Sequence, residues 1–170
     1  METPLDNAVT PPDASAPASL TRQPRIRRLT ARQSACVLTR NHVGRIAYIL
    51  NGRAGILPVH YVFDGNVIVG RTSFGPKAMA WVEQDVVFEV DETDGMFDWR
   101  SILVRGTVTI RSATATSVEL ANYWDAVAAL RTIIPQAFTE ADPTPERRLV
   151  FAIEPDEISG RVASSTRAWR

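Results

Sequence analysis

Residues 66–82 read NVIVGRTSFGPKAMAWV, and this stretch decides the reading of the chain. Val67, Ile68 and Val69 are β-branched and follow the turn signal Asp64-Gly65, which predicts a strand. The strand runs out at Gly70, followed by Arg71, Thr72 and Ser73, and Gly75-Pro76-Lys77 then opens a helix. Proline suits a first helical position because the N–H it lacks has no intrahelical partner there. A helix start combines free N–H groups with the positive end of the dipole, so it favours an anion. Two cations (Arg71, Lys77) and two hydroxyls (Thr72, Ser73) surround that point. Such a donor set suits an oxyanion with several equivalent oxygens, such as a phosphate monoester. Neither a P-loop nor a dinucleotide glycine pattern is present, so spacing alone favours a capped surface helix with solvated charges.

Working outward, Asn51-Gly52 is the strongest hairpin signal. Before it, Ile46, Tyr48 and Leu50 alternate with Arg45, Ala47 and Ile49. After it a strand over 53–63 carries Pro58, which cannot donate to a ladder and so marks an edge or a bulge. Further strands are predicted over 86–91, over about 102–111 after a loop from Thr93 to Trp99, and over 149–153. On the second of these, Ile102, Val104, Gly106, Val108 and Ile110 share a face. Thr30 is a candidate N-cap for a short helix ending by Asn41, with Cys36, Val37 and Leu38 on or near its buried side. Thr116 to Glu119 has capping-box spacing ahead of an apolar stripe of Leu120, Tyr123, Trp124, Val127, Leu130 and Ile134. The expected class is mainly β: an antiparallel barrel with a few helices.

Composition narrows the function classes. Nineteen Lys plus Arg balance nineteen Asp plus Glu over 170 residues, so net charge gives no reason to expect nucleic acid or an anionic membrane. One cysteine and two distant histidines exclude an internal disulfide and argue against a metal site. No apolar run spans a bilayer and residues 1–10 do not read as a secretory signal, which makes the cytoplasm the expected compartment. The Pro-, Ala-, Thr- and Ser-rich beginning predicts a disordered tail, taken with the RIRR cluster as residues 1–28, ahead of one domain over 29–170.

Taken together, VGRIAY (43–48), LPVHYVFDG (57–65), IVGRTSFGPK (68–77), VVFEVDETD (86–94), WRSILVRG (99–106) and ISGR (158–161) resemble the pyridoxamine 5′-phosphate oxidase-like flavin-binding split barrels. Their order and spacing are more specific than any one of them. The resemblance implies a split barrel of roughly six strands, a homodimer, and FMN in clefts at the subunit interface. It places Arg71, Thr72, Ser73 and Lys77 on the phosphate and Pro58, Val59 and His60 along the isoalloxazine. Trp99 and Arg105 match positions contributed across the interface, with Gly160 and Arg161 over the site. The apolar demand of Trp99, Ile102, Val104, Trp124 and Val127 also suggests a dimer. The implied activity is an oxidoreductase that passes electrons from a reduced donor to a small quinone- or nitro-type acceptor, with a non-catalytic flavin-binding module or a deazaflavin-dependent reductase of the same fold as the alternatives. No catalytic acid or base stands out. Relatives of this fold also bind deazaflavin or haem, and His42 and His60 are the only histidines that could ligate haem. The arginine-leucine-proline ending of the true pyridoxamine phosphate oxidases is missing, and Arg71 stands where nitroimidazole-resistance relatives carry histidine. Neither of those two reactions is therefore expected.

Overall fold

The computed structural model describes residues 24–82, 84–113 and 117–165, without the side chains of Lys77 and Ser117. The predicted tail over residues 1–23 and the capping threonine Thr116 lie outside the described residues. The elements are β1 (Arg25–Arg28), α1 (Ala31–Arg40), β2 (Val43–Leu50), β3 (Arg53–Phe63), β4 (Ile68–Thr72), α2 (Pro76–Met79), β5 (Asp85–Gly95), β6 (Asp98–Arg111), α3 (Ser117–Ile133) and β7 (Leu149–Ser164). All the strand pairs are antiparallel, in the order β1-β7-β4-β3-β2-β5-β6, and a further β7–β6 pairing closes the ring. Six strands therefore form a barrel and β1 extends it, in line with the expected split barrel.

The turns form for the reasons the sequence suggested. Asn51 and Gly52 both have positive φ (52° and 73°), as a two-residue hairpin of the primed type requires. Asp64 Oδ1 accepts from the N–H groups of Asn66 and Val67, 2.8 Å each, and so closes the β3–β4 turn. Thr30 caps α1 in a reciprocal box with Gln33. Val37 and Leu38 are buried on that helix, and Tyr61 Oη donates to the Leu38 carbonyl at 2.8 Å, which fixes the helix on β3. Cys36 corrects the expectation: it is exposed.

The barrel is filled by rings. Tyr61 meets Phe88 edge-on at 4.9 Å, and Trp81, just after α2, meets Phe151 at 5.7 Å and Tyr48 at 5.8 Å. Each such fully buried side chain contributes about 1.5–3 kcal/mol relative to exposure. Gly70 makes room for one of them, since a Cβ there would lie 2.3 Å from Phe151 Cζ. A second cluster sits outside the sheet, where Ala126, Val127 and Leu130 of α3 cover Val69 and Val150. Ile102, Val104 and Val127, expected to need a partner's cover, are thus already buried within the chain, whereas Trp124 is exposed.

Three boundaries differ from expectation. Arg25–Arg28 pair with Arg161–Ser164, so the ordered domain starts before Leu29. The expected loop from Thr93 to Trp99 is mostly strand, because β5 and β6 continue to a tight hairpin at Gly95/Asp98. The last strand runs eleven residues beyond Ile153, to Ser164. Pro155 made that extension illegible, and the structure accommodates it at a register shift opposite Gly106. A Cβ on Gly106 would lie 2.1 Å from the Glu154 carbonyl oxygen. Gly106→Ala should therefore cost about 1–3 kcal/mol in urea unfolding. Gly95→Ala, which meets nothing within 4 Å, should change it little.

Candidate functional site

The ring of strands parts between β3 and β4. β3 and β4 pair only through Tyr61↔Gly70, Val62↔Val69 and Phe63↔Ile68. Beyond Tyr61 and Gly70 both strands continue, β3 back along β2 to Arg53 and β4 on along β7 to Thr72, but they pair no further with each other. One lip of this split carries Pro58, Val59 and His60, and the other carries Arg71, Thr72 and Ser73. Pro58 lies opposite Arg45 in an unshifted register, so its place is explained by the free edge and not by a bulge. Pro58 and His60 are exposed, Val59 is buried, and Thr72 and Ser73 are half-buried.

The turn after β4 is shorter than a phosphate-binding helix requires. α2 is a single turn of four residues, Pro76 stands in its first positions, and no side chain caps it. Its dipole is correspondingly small. Phe74 and Met79 around it are exposed (77% and 52%). Lys77 is on α2, and its side chain lies outside the described residues.

Arg71 is engaged within the chain. Its side chain is 1% exposed and faces Asp142, itself 3% exposed. Arg71 Nη1 donates to Asp142 Oδ2 at 2.5 Å, and Nη2 donates to Asp142 Oδ1 and to Thr144 Oγ1, 2.9 Å each. Asp142 accepts further from the N–H groups of Phe138 (2.7 Å) and Thr144 (2.9 Å), and the Phe138 ring lies 5.3 Å from the guanidinium. The charge expected to face a phosphate is spent inside the chain on the loop between α3 and β7. Sequence reasoning missed Asp142 because its partner is seventy-one residues away and its surroundings read as loop. The Arg71 guanidinium, together with the backbone donors, holds the Asp142 carboxyl well below the usual carboxylate range.

The other predicted residues are not gathered at the split. Trp99 is half-buried near the far end of β6, close to the β5–β6 hairpin. Arg105 projects from the outer wall of β6 toward Glu157 at 3.7 Å. Gly160 and Arg161 lie on the far half of β7, opposite Ile102 and Ser101. His42 is exposed just before β2. At the split, His60 titrates below the ordinary histidine value, through desolvation first and then the positive charges of Arg147 and Arg71. Both causes favour the neutral imidazole. Among the described residues no group of three His, Cys, Asp or Glu is placed to hold a metal ion, and no helix is long and apolar enough to cross a membrane.

A family model described as pyridoxamine 5′-phosphate oxidase matches residues 30–162. The chain belongs to this family. Among solved structures, this family member is similar to a FAD-binding protein from Mycobacterium smegmatis, 22% identical with a TM-score of 0.60, over 80% of this chain and 99% of that one. A FAD-binding protein from Mesorhizobium loti is 23% identical with a TM-score of 0.64, over 82% and 99%. A FAD- and haem-binding protein from Mycobacterium smegmatis is 20% identical with a TM-score of 0.56, over 85% and 74%. At these identities the likeness is one of fold. No curated protein matches the sequence.

A second carboxylate behaves like Asp142. Glu92 accepts from Arg40, Asn41 and Arg100, which tie the end of α1 to β5 and β6 and lower its pKa from 4.5 to about 2. Both carboxylates are depressed on folding, so the stability they supply is complete above their unfolded values and is lost as pH falls toward the folded ones. The urea midpoint should dip modestly as pH falls below about 6.5, where the unfolded chain protonates His60 before the folded one does, and drop more steeply below about 4.5 as the two carboxylates titrate. Asp142→Asn should start lower at pH 7 and lose less on acidification.

Proposed function

We propose that this member of the family is a flavoprotein that holds the FMN moiety of its cofactor in the split between β3 and β4. The observation that carries this reading is the divergence of two strands that stay paired with their other neighbours, which leaves the β3 edge from Arg53 to His60 unpaired with β4. A free strand edge presents N–H and C=O groups that can meet the polar edge of a planar ring system. Exposed Phe74 and Met79 beside the split supply apolar contact. Thr72, Ser73 and Lys77 would hold the phosphate, while Arg71 positions their segment through Asp142. The fold relatives named for FAD, and in one case also haem, support a flavin in this barrel.

The isoalloxazine supplies the redox chemistry when bound. This chain's residues bind and orient it. His60 on the lip of the split, where burial and the nearby arginines favour its neutral form, would donate a hydrogen bond without adding charge. The reaction class is electron transfer from a reduced donor to a small acceptor of quinone or nitroaromatic type. The proposed assembly is a homodimer: Trp99 and Arg105 stand away from the split of their own chain, so the flavin contact that the resemblance implies for them would have to be made in a partner's cleft.

Purified protein should show an oxidised-flavin spectrum and scatter light as a dimer. A single violet band, a Soret band or no chromophore uptake would contradict the flavin reading. Lys77→Ala should weaken FMN about 10- to 100-fold by removing one charge-assisted phosphate contact. Reoxidation of the reduced protein by quinones in stopped flow checks the electron-transfer role.

A further inference from the structure

A cleft of about 250 Å³ lies between α3 and the loop that follows it, lined among others by Tyr123, Trp124, Arg131, Phe138, Asp142 and Arg148. Its composition is unlike a solvated surface. Trp124 is 54% exposed although it belongs to the apolar stripe of α3, and Tyr123 packs edge-on against it at 5.2 Å. The indole therefore presents a braced aromatic face that is left exposed by the described residues.

The cations are braced too. Arg131 Nε donates to the Ala137 carbonyl and Arg148 Nε to the Pro145 carbonyl, each at 3.0 Å. These bonds restrict both guanidinium groups and leave the Nη groups available. Among the described residues neither arginine pairs with a carboxylate. Asp142, the acid in the lining, has its charge matched by Arg71. Phe138 stands at φ 63°, a left-handed conformation uncommon for a non-glycine residue, and its N–H is held by Asp142. The loop is thus fixed in a costly conformation that places its ring in the lining.

Flat aromatic faces with two unmatched guanidinium forks suit a planar ring bearing an anionic group of several oxygens. The volume is below the usual range for drug-sized ligands, which limits the occupant to a small molecule or one portion of a larger one. Arg148 directly precedes Leu149, the register partner of Thr72, so the cleft adjoins the β4 end of the split. We propose that this cleft binds a nucleoside monophosphate unit, with the base against Trp124 and the phosphate on Arg131 and Arg148. The unit is supplied by a free nucleotide or by the adenylate end of a dinucleotide flavin.

Calorimetric titration of the purified full chain with AMP and with adenosine tests the site. AMP should bind at least 10-fold more tightly than adenosine. Arg131→Gln/Arg148→Gln should lose at least 10-fold in AMP affinity while keeping the parent's circular dichroism; Arg148 anchors only to the carbonyl of exposed Pro145, whereas Arg131 holds the carbonyl of buried Ala137. Arg148→Gln alone should lose part of it, and Trp124→Ala should weaken AMP and adenosine alike. The source is read from the cofactor. FAD bound at least 10-fold more tightly than FMN, with the preference lost in the double variant, identifies a dinucleotide flavin; equal FAD and FMN affinity beside tight AMP identifies a free nucleotide. Equal affinity for AMP and adenosine, undiminished AMP binding by both arginine variants, or no AMP binding at millimolar concentration would overturn the proposal. The AMP titration does not depend on the flavin reading, so its failure and the absence of a flavin spectrum are separate results.

Discussion

The buried pair Arg71–Asp142 is the constraint on which the rest of the molecule depends. It joins the end of β4 to a loop seventy-one residues later in the chain, and the carboxylate also fixes that loop through the Phe138 and Thr144 N–H groups. Desolvating two charges is expensive, and their attraction offsets this only when the remaining donors and acceptors are satisfied. Asp142 meets that condition by accepting four hydrogen bonds, whereas Arg71 Nε remains buried without a partner among the described residues. Such a pair adds little net stability over an apolar substitute, but breaking it leaves a buried charge. Its contribution is therefore specificity: it sets where β4 ends and where the α3–β7 loop lies.

That placement shapes both recesses. On one side of β4 the barrel is split from β3, with Thr72 and Ser73 on the lip. On the other, the loop held by Asp142 forms the wall of the cleft beneath Trp124. A single ion pair thus holds the segment that separates the proposed flavin site from the proposed nucleotide cleft. The filled barrel behind it, with Trp81, Phe151 and Phe88 fully buried, resists adjustment, so displacement of the pair would be taken up by the loop.

Much of the fold was legible because it follows local rules. Asn51-Gly52, Asp64-Gly65 and the Thr30 N-cap are short-range devices whose geometry is set by neighbours in sequence, and each forms as expected. The alternation on β6 likewise places Ile102, Val104 and Val108 in the core. What escaped depends on distant partners. Pro155 hides half of β7 from propensity reasoning, because only the register shift against Gly106 makes a proline tolerable there. Arg25–Arg28 becomes a strand only because the far half of β7 offers an edge. Arg71 reads as an exposed cation on the Gly-Arg-Thr motif, and nothing near it in sequence announces Asp142. The order of the motifs identified the family, but could not show how one of its charges is used within this chain.

The most direct test of this account is a double-mutant cycle on Arg71 and Asp142, read by both urea unfolding and FMN affinity. The account predicts that Arg71→Met and Asp142→Leu each cost about 3–5 kcal/mol of stability, because each strands a buried partner. The double variant should recover much of that loss and retain FMN within a few-fold of the parent. An Arg71→Met protein as stable as the parent but unable to retain FMN would contradict it, and would make Arg71 the phosphate ligand.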